Sequence, residues 1–485
     1  MNGTARSDRA EKQKFHIRLE GIVLNSSGLN YSGPVLTPYR LPFAHSVAQG
    51  GRFFFLLFIF ILPFQRAIFF KENLFDIQGL KPFNLLAAIV LAYLVFQSAP
   101  LHATDKIEQR SIRIFLLYFA TFTIAVIRSI PNAPVFHSRF PISFPESYLD
   151  YTLSYCIVPA LYTLPFLFVL KRMCSFRELE RLTTVICLSI LLLSVAFVVA
   201  VLIAGAGSRG EINALCETYF GFHYNTIGTI YICTAPLLLY RALTGRALWI
   251  IPLALSLLAI LLLQSRSTLV TVAVTYCLFL IQRRSFAILI LGMTVVGIAA
   301  LFLSGSTVNS LLSIGFAGSS ETSADAVLTG RVDSIWIPLL NEWTSDIGLF
   351  VVGAGRSGMM TSQLWDTGVI IQATHAHNAI INFFLDCGVI LSGVLIVLLL
   401  VGIATAWRVG RGLNSDLYWA LFACIFGFGF GTMTDREILP TAENMHVFPI
   451  IAMMINVARL RYLFQLEKRR DGLLPTKMRR LNQLE

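Results

Sequence analysis

What most constrains this chain is a recurrence. Apolar runs of about twenty residues return along nearly all of its 485 residues, separated by short polar segments that carry Lys and Arg. A helix needs roughly 20 mainly apolar residues to cross the hydrocarbon of a bilayer. No water is present there to satisfy peptide groups, so apolar runs of this length specify helices rather than open strands. Composition agrees: the sequence is 56% hydrophobic and 13% charged, with a mean hydropathy of +0.70. An ordinary soluble globule is excluded.

Twelve spans are expected, near 53–70, 82–100, 112–130, 150–170, 182–204, 226–244, 247–263, 267–282, 286–304, 378–406, 417–434 and 445–464. The seventh and eighth are divided at Ser265, Arg266 and Ser267 because each half is long enough to span alone. Cytoplasmic loops are enriched in Lys and Arg. Placing the N-terminus inside puts most of the 38 Lys and Arg on the inner side. The exceptions are Arg66, Lys71, Lys81, Arg128, Arg139, Arg209, Arg266, Arg331, Arg356 and Arg436, spread thinly over the outer side. Both termini are therefore expected in the cytoplasm.

This divides the chain into a polar cytoplasmic extension (1–50), a transmembrane domain (51–465) with one long outer loop (305–377), and a basic cytoplasmic tail (466–485). The extension lacks the apolar core of a secretory signal, so the first helix is expected to act as an uncleaved insertion signal. The net charge of +11 resides mostly in the inner loops and in the tail KRRDGLLPTKMRR. Membrane lipids with anionic headgroups are the partners this implies, and no nucleic acid is required. The eight cysteines include no Cys-x-x-Cys pair, and only Cys216 is clearly in an outer loop. They suggest neither a disulfide scaffold nor a zinc site.

A loop as long as 305–377 is usually functional. Its first part is rich in Gly and Ser and is expected to be mobile. Then Ile335, Trp336, Leu339, Leu340 and Trp343 recur at helical spacing, the pattern of an amphipathic helix on a membrane surface. Gly353, Gly355 and Gly358 follow; such a cluster either cradles an anion with its amides or makes a plain turn. The loop ends at His375 and His377, at the doorstep of the next apolar run.

Polar groups beside membrane spans are costly and usually serve function. They gather here on the outer side: Arg209, His223, Asn225, Arg266, Arg331, Arg356, His375, His377, Asn378, Asp435 and Arg436. The spans themselves are almost free of Asp and Glu, which weakens a reading as an ion-coupled transporter. Arg266 sits in a turn of about four residues and so stays near the membrane surface. An arginine there either snorkels to headgroups or grips a lipid-borne phosphate bidentately. For the histidines the alternatives are a metal pair, a helix cap, or a base. An imidazole, with a reference pKa of about 6.5, can accept a proton from a sugar hydroxyl near neutral pH.

Four stretches resemble the O-antigen ligase and polymerase superfamily of bacterial envelope glycosyltransferases. They are QSRSTLVTVA (264–273), GRVDSIW (330–336), FVVGAGRSG (350–358) and HAHNAIINFFLDCGVILSG (375–393), in the family's order and covering about 50–465. The resemblance implies an all-α polytopic membrane fold of the GT-C-like kind, in a bacterial inner membrane, with its site facing the periplasm. It implies transfer of a glycan from a polyprenyl pyrophosphate carrier, with inversion and with no metal or other cofactor. The acceptor would be lipid A core for a ligase, or a second lipid-linked glycan for an O-antigen or exopolysaccharide polymerase.

By the same resemblance Arg266 contacts the pyrophosphate, His377, before Asn378, is the catalytic histidine, and Arg331 is the arginine of the loop helix. Arg209 matches the family's other arginine, although Tyr224 stands where a proline is customary and the intervening segment is long. His375, Asn378, Ser265, Gly353 and Gly355 are the expected supporting residues. A reading of another class is a transporter or flippase of lipid-linked sugars, which requires polar side chains at mid-membrane depth.

Overall fold

The structure is a computed structural model that describes residues 42–72, 74, 81–96, 106–141, 144–290, 331–368, 375–435 and 437–470. The chain divides into Met1–Val47 and Ala48–Glu485. Among the described residues every regular element is a helix. In order they are α1 (Pro42–Ile61), α2 (Pro82–Phe96), α3 (Lys106–Ser129), α4 (the interrupted run Tyr148–Arg172), α5 (Phe176–Ala204), α6 (Arg209–Leu215), α7 (Tyr224–Thr244), α8 (Ile250–Leu262), α9 (Arg266–Gln282), α10 (Ile337–Ser345), α11 (Ile347–Val352), α12 (Ala379–Leu413), α13 (Asp416–Asp435) and α14 (Val447–Arg470).

Six described segments are long and apolar enough to cross a membrane: Lys106–Arg139, Tyr148–Arg172, Phe176–Ala204, Tyr224–Thr244, Ala379–Leu413 and Val447–Phe464. Five shorter apolar helices, Gly50–Phe64, Pro82–Phe96, Ala247–Leu262, Arg266–Gln282 and Asp416–Gly431, fall on the other described spans expected from the sequence. The ninth expected span, 286–304, lies outside the described residues beyond 290. So do 305–330, most of the N-terminal extension, Arg436 and the tail beyond 470. The chain is an α-helical polytopic membrane protein.

The centre of the bundle is α7, in which every residue from Thr226 to Tyr240 is buried. A helix covered on all sides must be enclosed by neighbours, and small residues permit the approach. A Cβ on Gly228 would lie 2.1 Å from Thr268 Oγ1, and one on Gly427 would lie 2.4 Å from Thr275 Cγ2. Thr268, Thr271 and Thr275 line the buried side of α9. Thus α7, α9 and α13 meet along a glycine–threonine seam.

One end of the bundle is tied by ion pairs. Arg52 meets Glu178 at 2.8 Å, Arg241 meets Glu180 at 2.7 Å, Arg283 meets Asp416 at 3.1 Å and Arg459 meets Glu108 at 2.9 Å. These side chains lie at the starts of α3, α5 and α13, on α1, and toward the ends of α7, α9 and α14. The first turns of α7, α9, α12 and α14 therefore share the opposite end, called here the histidine end.

From that end α12 descends and breaks at Gly388, where φ is 71° and ψ 170°. A break frees carbonyl groups that must find donors. The loop after α11 supplies them: the Ala354 amide donates to Leu385 O at 2.7 Å and the Gly355 amide to Asp386 O at 3.0 Å. The expected surface helix of 331–343 also takes a different role. Leu339 and Trp343 are buried, packed with Met359, Ala376 and Leu385. Its apolar stripe faces protein rather than a membrane surface, because α12 and the 353–360 loop cover it.

Candidate functional site

Arg266 is the first residue of α9 rather than part of a four-residue turn. The connection from α8 is shorter because Gln264 takes a left-handed φ of 51°. The preceding Ser265 does not cap the helix with its side chain. Its hydroxyl instead donates to Asn225 Oδ1 at 3.2 Å and accepts from Thr268 Oγ1 at 2.9 Å. Gln264 Nε2 donates to Gly207 O at 3.0 Å, which draws the Arg209 segment alongside.

Arg209 opens α6, held by a capping box between Ser208 and Glu211. Its guanidinium donates to the Tyr224 hydroxyl and lies over that ring, 4.9 Å from the centroid. Tyr224 is thus a residue that Arg209 touches through both its ring and its hydroxyl. The segments carrying Arg209, Arg266, Ser265 and Asn225 meet at the histidine end.

The histidines reach that end from α12. Asn378 is the N-cap, accepting from the amides of Ile380 and Ile381 at 3.0 and 3.2 Å. His377 stands just outside the helix with a φ of 52°, and the His375 and His377 rings lie 4.2 Å apart between centroids. Arg331 precedes the single-turn helix Val332–Trp336, whose Trp336 Nε1 donates to Ala376 O at 2.6 Å. Arg331 and the histidine pair are therefore linked through adjoining segments.

The glycine loop does cradle an acidic group, but one that belongs to the chain. The amides of Ser357 and Gly358 bond the Asp386 carboxyl, the latter at 2.9 Å. The amides of 353–356 go to Leu349, Leu385, Asp386 and Ala125 carbonyls. A Cβ at Gly353 would sit 2.4 Å from Gly388 N, and one at Gly355 would sit 2.9 Å from Ser129 N. Gly353 and Gly355 serve close backbone packing, with no amide left over for a substrate phosphate.

The polar set missed in the sequence lies between α13 and α14. Asn444, 2% exposed, folds this loop by donating to the carbonyls of Glu437 and Leu439 at 3.0 and 2.7 Å and accepting from the Thr441 amide at 2.9 Å. The loop brings Glu443 to Thr226, whose hydroxyl donates to Oε1 at 2.9 Å. It brings Glu437 to Arg356, 3.8 Å away. Arg356 is 5% exposed, with its guanidinium donating to Tyr155 O at 2.7 Å and Pro440 O at 3.0 Å.

Burial pushes the Glu437 carboxyl above the usual carboxylate range; Arg356 pulls it down, Glu443 pushes it up and the His375 ring pulls it down. These four groups thus share one electrostatic neighbourhood, and Glu443 ties it to the first turn of α7. The sequence signal was DREILPTAENMH (435–446), an acidic, polar stretch between two apolar runs. Among the described residues no three His, Cys, Asp or Glu side chains converge as a metal-ligand set.

Rim arginines, a paired imidazole and two carboxyls give the histidine end the means to hold an anion and to accept a proton. No family profile, curated protein or solved structure matches this chain.

Proposed function

We propose that this protein is a metal-independent, inverting glycosyltransferase of the O-antigen ligase kind. It would move a glycan from a polyprenyl pyrophosphate carrier to an acceptor hydroxyl at the periplasmic face of a bacterial inner membrane, on a twelve-span GT-C-like frame. The observation that carries the reading is that the α5–α6, α8–α9 and α13–α14 connections are joined to one another and to the start of α7 through Gln264–Gly207, Ser265–Asn225 and Thr226–Glu443, at the end of the bundle where α12 begins and where the His375 ring acts on Glu437.

In this reading Arg266 and Arg209 bind the diphosphate, with Arg331 adding positive charge from the loop helix. The acceptor oxygen attacks the anomeric carbon as the bond from that carbon to the diphosphate oxygen breaks. The bonding pair leaves with the lipid diphosphate, and fixed guanidinium groups stabilise the charge that builds there. The acceptor's proton passes to the His377 imidazole. Ser265 and Asn378 hold the two helix starts, and His375 stands beside the base.

The test uses the full chain in lipid nanodiscs, given polyprenyl-pyrophosphate-linked glycan and either lipid A core or a second lipid-linked glycan. Product with the first acceptor marks a ligase, and product with the second marks a polymerase. No product with either, together with His377→Ala behaving as the parent, removes the proposal.

A further inference from the structure

The loop that carries the histidines is held by one residue between them. Ala376 is wholly buried, and both of its main-chain polar groups are bound by side chains from other elements. Its amide donates to Asn382 Oδ1 at 2.7 Å, and its carbonyl accepts from Trp336 Nε1 at 2.6 Å. The peptide units on either side are thereby fixed, one by the first turns of α12 and the other by the loop helix.

His377 takes a left-handed φ of 52°, which a residue with a side chain adopts only where its surroundings impose it. The clamp on Ala376 is such an imposition. It sets the direction of the Cα–Cβ bonds that precede and follow it, and so the aim of both rings.

Asn382 is itself 7% exposed, and its Nδ2 has no hydrogen-bond partner among the described residues. A buried amide that leaves half its capacity unmet costs stability relative to an apolar residue of the same size. What the position gains for that cost is the bond to the Ala376 amide.

We infer that Asn382 is a positioning residue for His377, acting through the Ala376 main chain, with Trp336 as the second clamp. This rests on the reading of His377 as the proton acceptor in glycan transfer. Without the Asn382 oxygen the buried Ala376 amide has no acceptor, the loop relaxes, and the imidazole leaves its line to the acceptor hydroxyl. Misplacement of a reacting group by about 1 Å costs on the order of 100-fold in rate. Donor binding on Arg266 and Arg209 is unaffected, because those side chains sit on other elements.

The experiment measures kcat and donor KM in nanodiscs for the parent, Asn382→Leu, Asn382→Asp, Trp336→Phe and His377→Ala. The donor is the polyprenyl-pyrophosphate-linked glycan extracted from producing cells. Expected are a loss of kcat of about 10- to 100-fold in Asn382→Leu with donor KM within about twofold, and recovery of most of the rate in Asn382→Asp, which keeps the oxygen. Trp336→Phe loses kcat in the same way, and it carries the test if Asn382→Leu does not fold. Parental kcat in both Asn382→Leu and Trp336→Phe, or a loss that appears in donor KM, overturns the positioning role while leaving the glycosyltransferase reading intact. An inactive parent, or an active His377→Ala, overturns that reading and the inference with it.

Discussion

The guanidinium carbon of Arg209 lies 4.9 Å from the centre of the Tyr224 ring, and the guanidinium donates a hydrogen bond to the same tyrosine's hydroxyl. One side chain thus fixes the arginine twice, through its face and through its oxygen. A cation–π contact of this kind contributes about 0.5–1 kcal/mol at an exposed site, and the hydrogen bond adds about 1 kcal/mol. Tyr224→Phe keeps the face and loses the oxygen, whereas Tyr224→Ala loses both. In the proposed reaction donor KM rises a few-fold in the first variant and roughly ten-fold in the second, with kcat little changed in either. Steady-state kinetics with lipid-linked donor distinguish this from a loss of folded protein, which lowers activity without moving KM.

Arg356 is the buried hinge between the glycine loop, α4 and the α13–α14 connection, through Tyr155 O, Pro440 O and Glu437. Removing one partner of a buried charge network costs about 3–5 kcal/mol, because the remaining polar groups lose their compensation. Arg356→Leu is expected to unfold at distinctly lower temperature in detergent than the parent. Arg356→Lys recovers only part of the loss, since an ammonium lacks the planar fork that reaches two carbonyls. Unchanged melting in Arg356→Leu contradicts the structural role given to it.

Gly388 is the second fixed point of the same region. Its φ of 71° and a Cβ position 2.3 Å from Val351 O leave no space for a side chain. Gly388→Ala must either move the 351–355 loop or straighten α12, at a cost of a few kcal/mol. Limited proteolysis in the 353–368 loop should become faster in this variant while the ion-paired end of the bundle stays protected. Equal cleavage in the two proteins rules out the proposed docking of loop into helix break.

The helical, membrane-embedded character was legible because apolar period and length are set by the bilayer itself, and α5, α7 and α12 appear where the sequence puts them. The histidine end was legible only in its cations and imidazoles. Arg266 and His377 announce themselves as costly groups beside apolar runs. Glu437 and Glu443 do not, because their meaning depends on how Asn444 folds the connection between α13 and α14 back onto Arg356 and Thr226, a long-range pairing that local pattern does not encode. The glycines of 353–358 were ambiguous for a related reason. The same conformational freedom suits a phosphate or a carboxyl from a neighbouring helix, and only the break at Gly388 shows that Asp386 fills the place.

The connection between α13 and α14 holds two groups whose proton affinities are displaced in opposite senses, so the pH dependence of stability separates them. Burial lowers the His446 imidazole from 6.5 to about 3, and this residue is 1% exposed. Between those values the unfolded chain binds a proton that the folded chain refuses, so stability falls as pH drops from about 6.5 toward 3. Glu437 is raised above 4.5 by burial first, with Arg356 opposing and Glu443 reinforcing. The folded chain there keeps a proton that the unfolded chain has released, so this contribution falls as pH rises through the region above 4.5. His446→Gln is expected to flatten the acid side of a melting-temperature profile and to leave the alkaline side alone. Glu437→Gln removes the trend of opposite sign, gaining relative to the parent as pH rises above 4.5. Glu443→Gln removes the neighbouring negative charge, so Glu437 gives up its proton at lower pH. The carboxylic-acid stretch in infrared difference spectra, assigned with Glu437→Gln, reads this directly. A signal that titrates at the same pH in the parent and in Glu443→Gln shows that the two carboxyls do not sense each other.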